Sequence, residues 1–117
     1  MTTILIIEDD KDFAELLADR LKEEGYNTFL AFTGNDGIKE IEDINPQCVT
    51  LDIHLPDIDG IEILKRLKQR NSSLPVVIIT SDDTVKEKVS SYQPESFFVK
   101  PIDFNKLKNV LKLILKK

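Results

Sequence analysis

Short β-branched runs alternating with helically spaced leucines and isoleucines constrain this chain more than any other feature. The runs are TILII (Thr3–Ile7), NTFLA (Asn27–Ala31), CVTL (Cys48–Leu51), PVVIIT (Pro75–Thr80) and SFFV (Ser96–Val99). Runs of this length and composition suit strands buried on both faces. Between the first two, Phe13, Leu16, Leu17 and Leu21 repeat at helical spacing, and Gly25 follows as a stop. TGNDG (Thr33–Gly37) reads as a turn before a short helix carrying Ile38, Ile41 and Ile44, closed by Pro46. Ile61, Leu64 and Leu67 mark a helix that runs into the basic, polar stretch Lys65 to Ser73. Thr84 to Tyr92 is a weaker segment, with Val85, Val89 and Tyr92 as its inner stripe. Phe104, Leu107, Val110, Leu111, Ile114 and Leu115 give a strongly amphipathic last helix. The order is (βα)5. It predicts an α/β fold, a three-layer sandwich whose parallel sheet is covered by helices on both faces through right-handed crossovers.

The 117 residues suit one domain with one core, residues 1–117. A net charge of -5 makes phosphate backbones poor partners, so no direct nucleic-acid binding is expected. The basic stretches Lys65–Arg70 and Lys106–Lys117 read as solvated faces. No apolar run is long enough to span a bilayer, and the N-terminus lacks the basic start and long apolar stretch of a secretory signal. The one cysteine, Cys48, excludes an internal disulfide framework, fits a reducing cytoplasm and reads as an inert core thiol.

In open parallel sheets, ligands bind beyond the carboxyl ends of the strands. Here those ends carry Glu8-Asp9-Asp10, then Asp52, then Thr80-Ser81, then Lys100. Glu8, Asp9 and Asp52 would crowd one pocket, each pair repelling by roughly 4 kcal/mol at about 4 Å and an effective dielectric near 20. A cation relieves this, and an all-oxygen carboxylate site suits Mg²⁺. The loop after the first strand, EDDKD, is no glycine-rich phosphate cradle, and a single histidine, His54, precludes a histidine relay or zinc set. A carboxylate beside Mg²⁺ and a lysine points to Asp52 as a nucleophile toward phosphorus, with Mg²⁺ and Lys100 neutralising the transferring group.

ILIIEDD, LDIHLPDIDG, IITS and FFVKP, in this order and at this spacing, resemble the landmarks of the receiver domain of two-component response regulators, the CheY-like fold, over essentially the whole chain. The resemblance implies a flavodoxin/CheY-like sheet of order 2-1-3-4-5 and a phosphorylation-dependent signalling switch rather than a conventional enzyme. It implies Asp52 as phosphoacceptor and Lys100 as its phosphoryl contact. Asp9 would ligate Mg²⁺ directly, Glu8 would assist through water, and His54 would offer its backbone carbonyl. Thr80 would be the switch hydroxyl, Phe97 the aromatic switch, and a cis peptide would precede Pro101. His54 and Asp82 would tune the lifetime of the acyl phosphate. The implied partners are a histidine kinase or histidine phosphotransfer protein and an output partner, met through the fourth helix, fifth strand and fifth helix; a second copy of the chain stays open as another.

The chain also departs from the family. Phe97 lacks the tyrosine hydroxyl of some relatives. YQPES stands where a small-residue turn is usual before the fifth strand, so a short fourth helix is expected. The sequence ends with the fifth helix, so no output domain is expected within it. Blander roles compete at several positions: a strand-end cap for Asp52, a helix cap for Asp10, solvation for Asp12, loop support for Asp57 and Asp59, a turn conformation for Gly60, an exposed loop histidine for His54, and core packing for Phe97. An inactive pseudo-receiver conflicts with the intact Asp9, Asp52 and Lys100. A dehalogenase-type hydrolase would need an aspartate where His54 stands, and a flavodoxin-like carrier would need a hydroxyl- and glycine-rich loop in place of EDDKD.

Overall fold

The structure is a computed structural model that describes residues 1–115. Five strands, β1 (Thr3–Ile7), β2 (Asn27–Ala31), β3 (Cys48–Leu51), β4 (Val76–Thr80) and β5 (Ser96–Val99), alternate with α1 (Lys11–Glu23), α2 (Gly34–Ile44), α3 (Gly60–Arg70), α4 (Lys86–Ser90) and α5 (Phe104–Leu115). All strand pairs are parallel, in the order β2-β1-β3-β4-β5. The strands fall where the apolar runs predict them.

Strand alternation divides the core in two. Leu5, Ile7, Val49, Leu51, Val76 and Ile78 face one side and pack with Ile41, Ile63, Leu64, Leu67 and Val89 from α2, α3 and α4. Ile4, Ile6, Cys48, Val77 and Ile79 face the other and pack with Leu17, Leu21, Leu107 and Leu111 from α1 and α5. Each buried aliphatic side chain of this kind contributes about 1.5–3 kcal/mol. The two-sided demand explains why β1 and β4 read as unbroken apolar runs. Cys48 lies in the second cluster, where burial pushes its thiol up to about 12, as expected of an inert core residue.

Local signals account for the helix ends. Asp10 caps α1 by accepting from Phe13 N–H at 3.1 Å, and Asp59 caps α3 by accepting from Ile61 N–H at 2.9 Å. Gly25 has φ 91°, the left-handed backbone that stops a helix at little cost to glycine. Four sequence readings change. Leu16 is 46% exposed, because Ala14, Leu17, Ala18 and Leu21 form the buried stripe of α1 and residue 16 lies off it. TGNDG is not a turn before a helix: Thr33 caps the helix by accepting from Asp36 N–H, and α2 starts at Gly34. Lys68 is not solvated, since its side chain is 13% exposed and its ammonium donates to the Leu74 carbonyl at 2.8 Å and faces Glu95 at 3.6 Å. The fourth change, at Gly60, belongs to the site below. The basic end Lys106–Lys117 runs beyond the described residues at positions 116 and 117.

The fourth helix is as short as YQPES implied. A single 3-10 turn, Asp83–Val85, leads into the five residues of α4. The chain then reverses with Gln93 at φ 58°, a left-handed position held by non-glycine, before Pro94. No helix among the described residues is long and apolar enough to cross a membrane.

Candidate functional site

The strand order reverses between β1 and β3, and the crevice at their carboxyl ends is where such a sheet receives ligands. Register fixes its contents. Ile7 pairs with Leu51, so Glu8 and Asp52 leave neighbouring strands at the same level, and Asp52 N–H extends the ladder to the Ile7 carbonyl at 3.0 Å. Thr80 pairs with Val99, and Lys100 N–H donates to the Thr80 carbonyl at 2.8 Å, which brings Lys100 over the same edge. The Lys100–Pro101 peptide is cis, as the resemblance implied.

Glu8 is 2% exposed and Asp52 6%. The Lys100 ammonium donates to Glu8 Oε1 at 2.5 Å and to Asp52 Oδ2 at 3.2 Å. Burial pushes the Glu8 carboxyl up to about 7, against the pull of the Lys100 and Asp10 N–H hydrogen bonds, and the Asp52 charge adds to the rise. Burial works to lower Lys100, but the Glu8 hydrogen bond and the Asp52 charge outweigh it and hold the amine above its ordinary value. Among the described residues, Glu8, Asp9 and Asp52 form a group whose carboxylate oxygens lie within 4.8 Å of one another. Three such oxygens, one of them on a carboxyl that burial holds back from ionising, fit a hard divalent cation such as Mg²⁺. Opposite Glu8, Asp52 also accepts from His54 N–H at 3.1 Å.

The other predicted residues take these places. Thr80 is fully buried, and its hydroxyl accepts from Asp82 N–H at 3.3 Å. His54 is exposed, as its loop position suggested, yet its Nε2 lies 2.7 Å from Asp82 Oδ2, so the β3 and β4 loops are joined across the mouth of the crevice. That hydrogen bond raises His54 above its ordinary value. The Thr84 hydroxyl, with His54, holds Asp82 down at about 2. Phe97 is half-buried against the α3–α4 side, and Phe98 is half-buried on the other side. A cavity of about 180 Å³ lined by Lys86, Val89, Ser90, Pro94 and Ser96 adjoins Phe97.

Two supports were not legible in the sequence. Asp57 serves the loop, as expected, but its partners are distant: both its oxygens accept from the α2 N-terminus, from Gly34 N–H at 2.8 Å and Asn35 N–H at 2.9 Å. Gly60 does not supply an unusual turn conformation. An added Cβ there would meet Ile53 Cα at 2.5 Å and the Asp52 and Ile53 carbonyl oxygens at 2.6 and 2.7 Å, so glycine is required by close backbone approach directly behind Asp52.

The fold is thus a three-layer sandwich with an acidic, lysine-bearing pocket at its switch point. The model of the response regulator receiver domain matches residues 4–112, and the chain belongs to that family. Similar proteins include the response regulator ArlR of Staphylococcus aureus, 34% identical over all of this chain and 54% of that protein. The chain thus spans about half the length of the curated relatives it matches. Among solved structures, a two-component response regulator from Clostridium difficile superimposes with a TM-score of 0.93 at 28% identity, covering 100% of this chain and 98% of that one. TrrA from Thermotoga maritima, solved with Mg²⁺ and BeF, gives 0.91 at 29% identity, covering 97% of this chain and 99% of that one. The CheY-like fold and the two-component receiver class expected from the motifs are both met.

Proposed function

We propose that residues 1–117 form one receiver domain in which Asp52 accepts a phosphoryl group from a histidine kinase or histidine phosphotransfer protein. The observation that carries the reading is the Lys100 ammonium held between the buried Glu8 and Asp52 carboxyls at the ends of β1, β3 and β5. In this reading an Asp52 oxygen attacks phosphorus as the bond to the donor histidine nitrogen breaks. The nitrogen keeps the electron pair and takes up a proton, and Asp52 becomes an acyl phosphate. Glu8, Asp9, Asp52 and the His54 backbone carbonyl would hold Mg²⁺, whose charge offsets that of the phosphoryl oxygens. Lys100 turns from Asp52 to those oxygens. The Thr80 hydroxyl, which accepts from Asp82 N–H before transfer, donates to a phosphoryl oxygen after it, and Phe97 follows into the adjoining space. The signal leaves through the face of α4, β5 and α5 toward an output protein or a second copy of the chain. The domain catalyses only its own phosphorylation and dephosphorylation, in a cytoplasmic setting.

Incubated with Mg²⁺ and acetyl phosphate, the wild-type chain is expected to gain the mass of one phosphoryl group, and Asp52→Asn none. An unmodified wild type, or an adduct that survives Asp52→Asn, sinks the reading.

His54, whose N–H bonds Asp52, is joined to Asp82 by its ring, and we assign this pair control of the acyl phosphate's lifetime. Because the Asp82 hydrogen bond raises His54 above its ordinary value, the ring keeps its proton and its charge pairing to higher pH than a free histidine and gives them up over a window shifted upward. Phospho-Asp52 is expected to decay faster as pH rises through this window, with the dependence flattened in His54→Ala. Superimposable decay profiles for the two proteins would refute the assignment.

A further inference from the structure

Phe13 has no role in the chemistry above, and by sequence it belongs to the inner stripe of α1. Its ring is half-buried at the edge of the α1–α5 core. The Lys100 ammonium stands 4.4 Å from the centre of that ring. Two other cations sit over rings among the described residues, Arg20 over Phe104 at 4.8 Å and Lys11 over Phe32 at 5.3 Å, but Arg20 and Lys11 are both exposed. The Lys100 side chain is 17% exposed and is also bonded to two buried carboxyls. A cation over an aromatic face is held most strongly where water is excluded, so this contact is the strongest of the three.

The ammonium has three N–H donors and no acceptor. Glu8 and Asp52 take donors on one side, and the negative face of the Phe13 ring covers another. A ring face differs from a carboxylate in one respect that matters here. Its attraction is not a directed hydrogen bond and changes slowly as the cation slides, so the amine can turn from Asp52 to a phosphoryl oxygen without leaving it.

We propose that Phe13 is a positioning residue for Lys100: its ring is the seat on which the ammonium pivots between the empty and the phosphorylated Asp52. The proposal rests on the reading of Asp52 and Lys100 given above. Leucine at position 13 fills much of the same apolar space but has no π-face. A trifluorinated phenylalanine keeps the ring's shape and weakens its negative face. Tyrosine keeps both.

The test uses the whole chain with each of these three residues at position 13, beside wild type. Two quantities are read: the rate of Asp52 phosphorylation by acetyl phosphate with Mg²⁺, and the NMR shift of the Lys100 ε-methylene without metal, which a ring centred 4.4 Å from the adjoining ammonium moves upfield. Wild type and Phe13→Tyr are expected to share the upfield shift and the rate. Phe13→Leu is expected to lose the shift and to react roughly three- to tenfold more slowly. The trifluoro chain is expected to fall between them while melting near wild type, and it decides the matter if Phe13→Leu fails to fold. A Lys100 ε-methylene at its random-coil position in wild type overturns the proposal, as does a trifluoro chain that reacts at the wild-type rate. If wild type gains no phosphoryl group on Asp52, the underlying reading of the site fails and the pivot with it, even where the upfield shift is present.

Discussion

Gly60→Ala is expected to destabilise the chain by about 3 kcal/mol or more, a larger loss than overpacking a side-chain cavity usually brings. The three nearest atoms to the added methyl, at 2.5 to 2.7 Å, all belong to the backbone of Asp52 and Ile53. Backbone cannot rotate aside as a side chain can. Gly60 N–H is also bonded to the Ile53 carbonyl at 2.8 Å, so the two segments cannot separate without losing that bond. Either α3 moves away from the sheet or the end of β3 shifts and takes Asp52 with it. Gly37→Ala provides the contrast, because the three atoms nearest its methyl all belong to the Ile7 side chain. In urea denaturation Gly60→Ala should show much the lower midpoint, and any folded fraction should take up phosphoryl groups poorly. A Gly60→Ala protein as stable and as reactive as wild type would show that the close approach behind Asp52 does not matter.

The second large effect concerns Glu8. Its folded-state value is raised from 4.5 to about 7, so between those two pH values the folded chain binds a proton that the unfolded chain has released. Stability from this group is therefore fully present below about pH 4.5 and is lost as pH rises through about 7. The change is on the order of 1–3 kcal/mol in metal-free buffer. A divalent cation binds the ionised carboxyl, so added Mg²⁺ should raise the melting temperature more at about pH 8 than at about pH 5.5, where it must displace the proton. Glu8→Gln should flatten the metal-free pH dependence over this window and reduce the stabilisation by Mg²⁺. An unchanged slope in that variant would show that another group carries it.

Both effects depend on residues that the sequence names but whose surroundings it does not describe. Glu8 reads as an acidic residue after a strand. Nothing local says that it is more deeply buried than Asp9 beside it, because its burial depends on the neighbouring strand end at Asp52 and on Lys100 arriving ninety-two positions later. Gly60 reads as the end of a turn, since an ordinary glycine in a Pro-Asp-Ile-Asp-Gly stretch has that meaning. Its actual constraint, a backbone 2.5 Å from where a Cβ would stand, comes from α3 closing onto β3. Leu16 was misread for a simpler reason: helical spacing admits two overlapping stripes, and only the position of the sheet shows which one is inside. The α2 start was misread because Gly34 and Gly37 argue for a turn locally, while Asp57 and Thr33 satisfy the helix's first N–H groups.

The sequence by itself determined the strands, their alternation with helices, the parallel three-layer class and the set of groups at the strand ends, because unbroken apolar runs, helical spacing and strand-end position are properties of short stretches. The resemblance to receiver domains also singled out His54 and Asp82 as a pair acting on Asp52. Only the tertiary structure decided that those two meet at 2.7 Å, that Lys100 lies between Glu8 and Asp52, that Asp57 reaches across to α2, and that Phe13 lies against the amine. Each of these is a contact between strand ends or loops brought together by register and by the crossover that reverses the strand order. Such contacts depend on how separate segments are packed, which no window of residues contains.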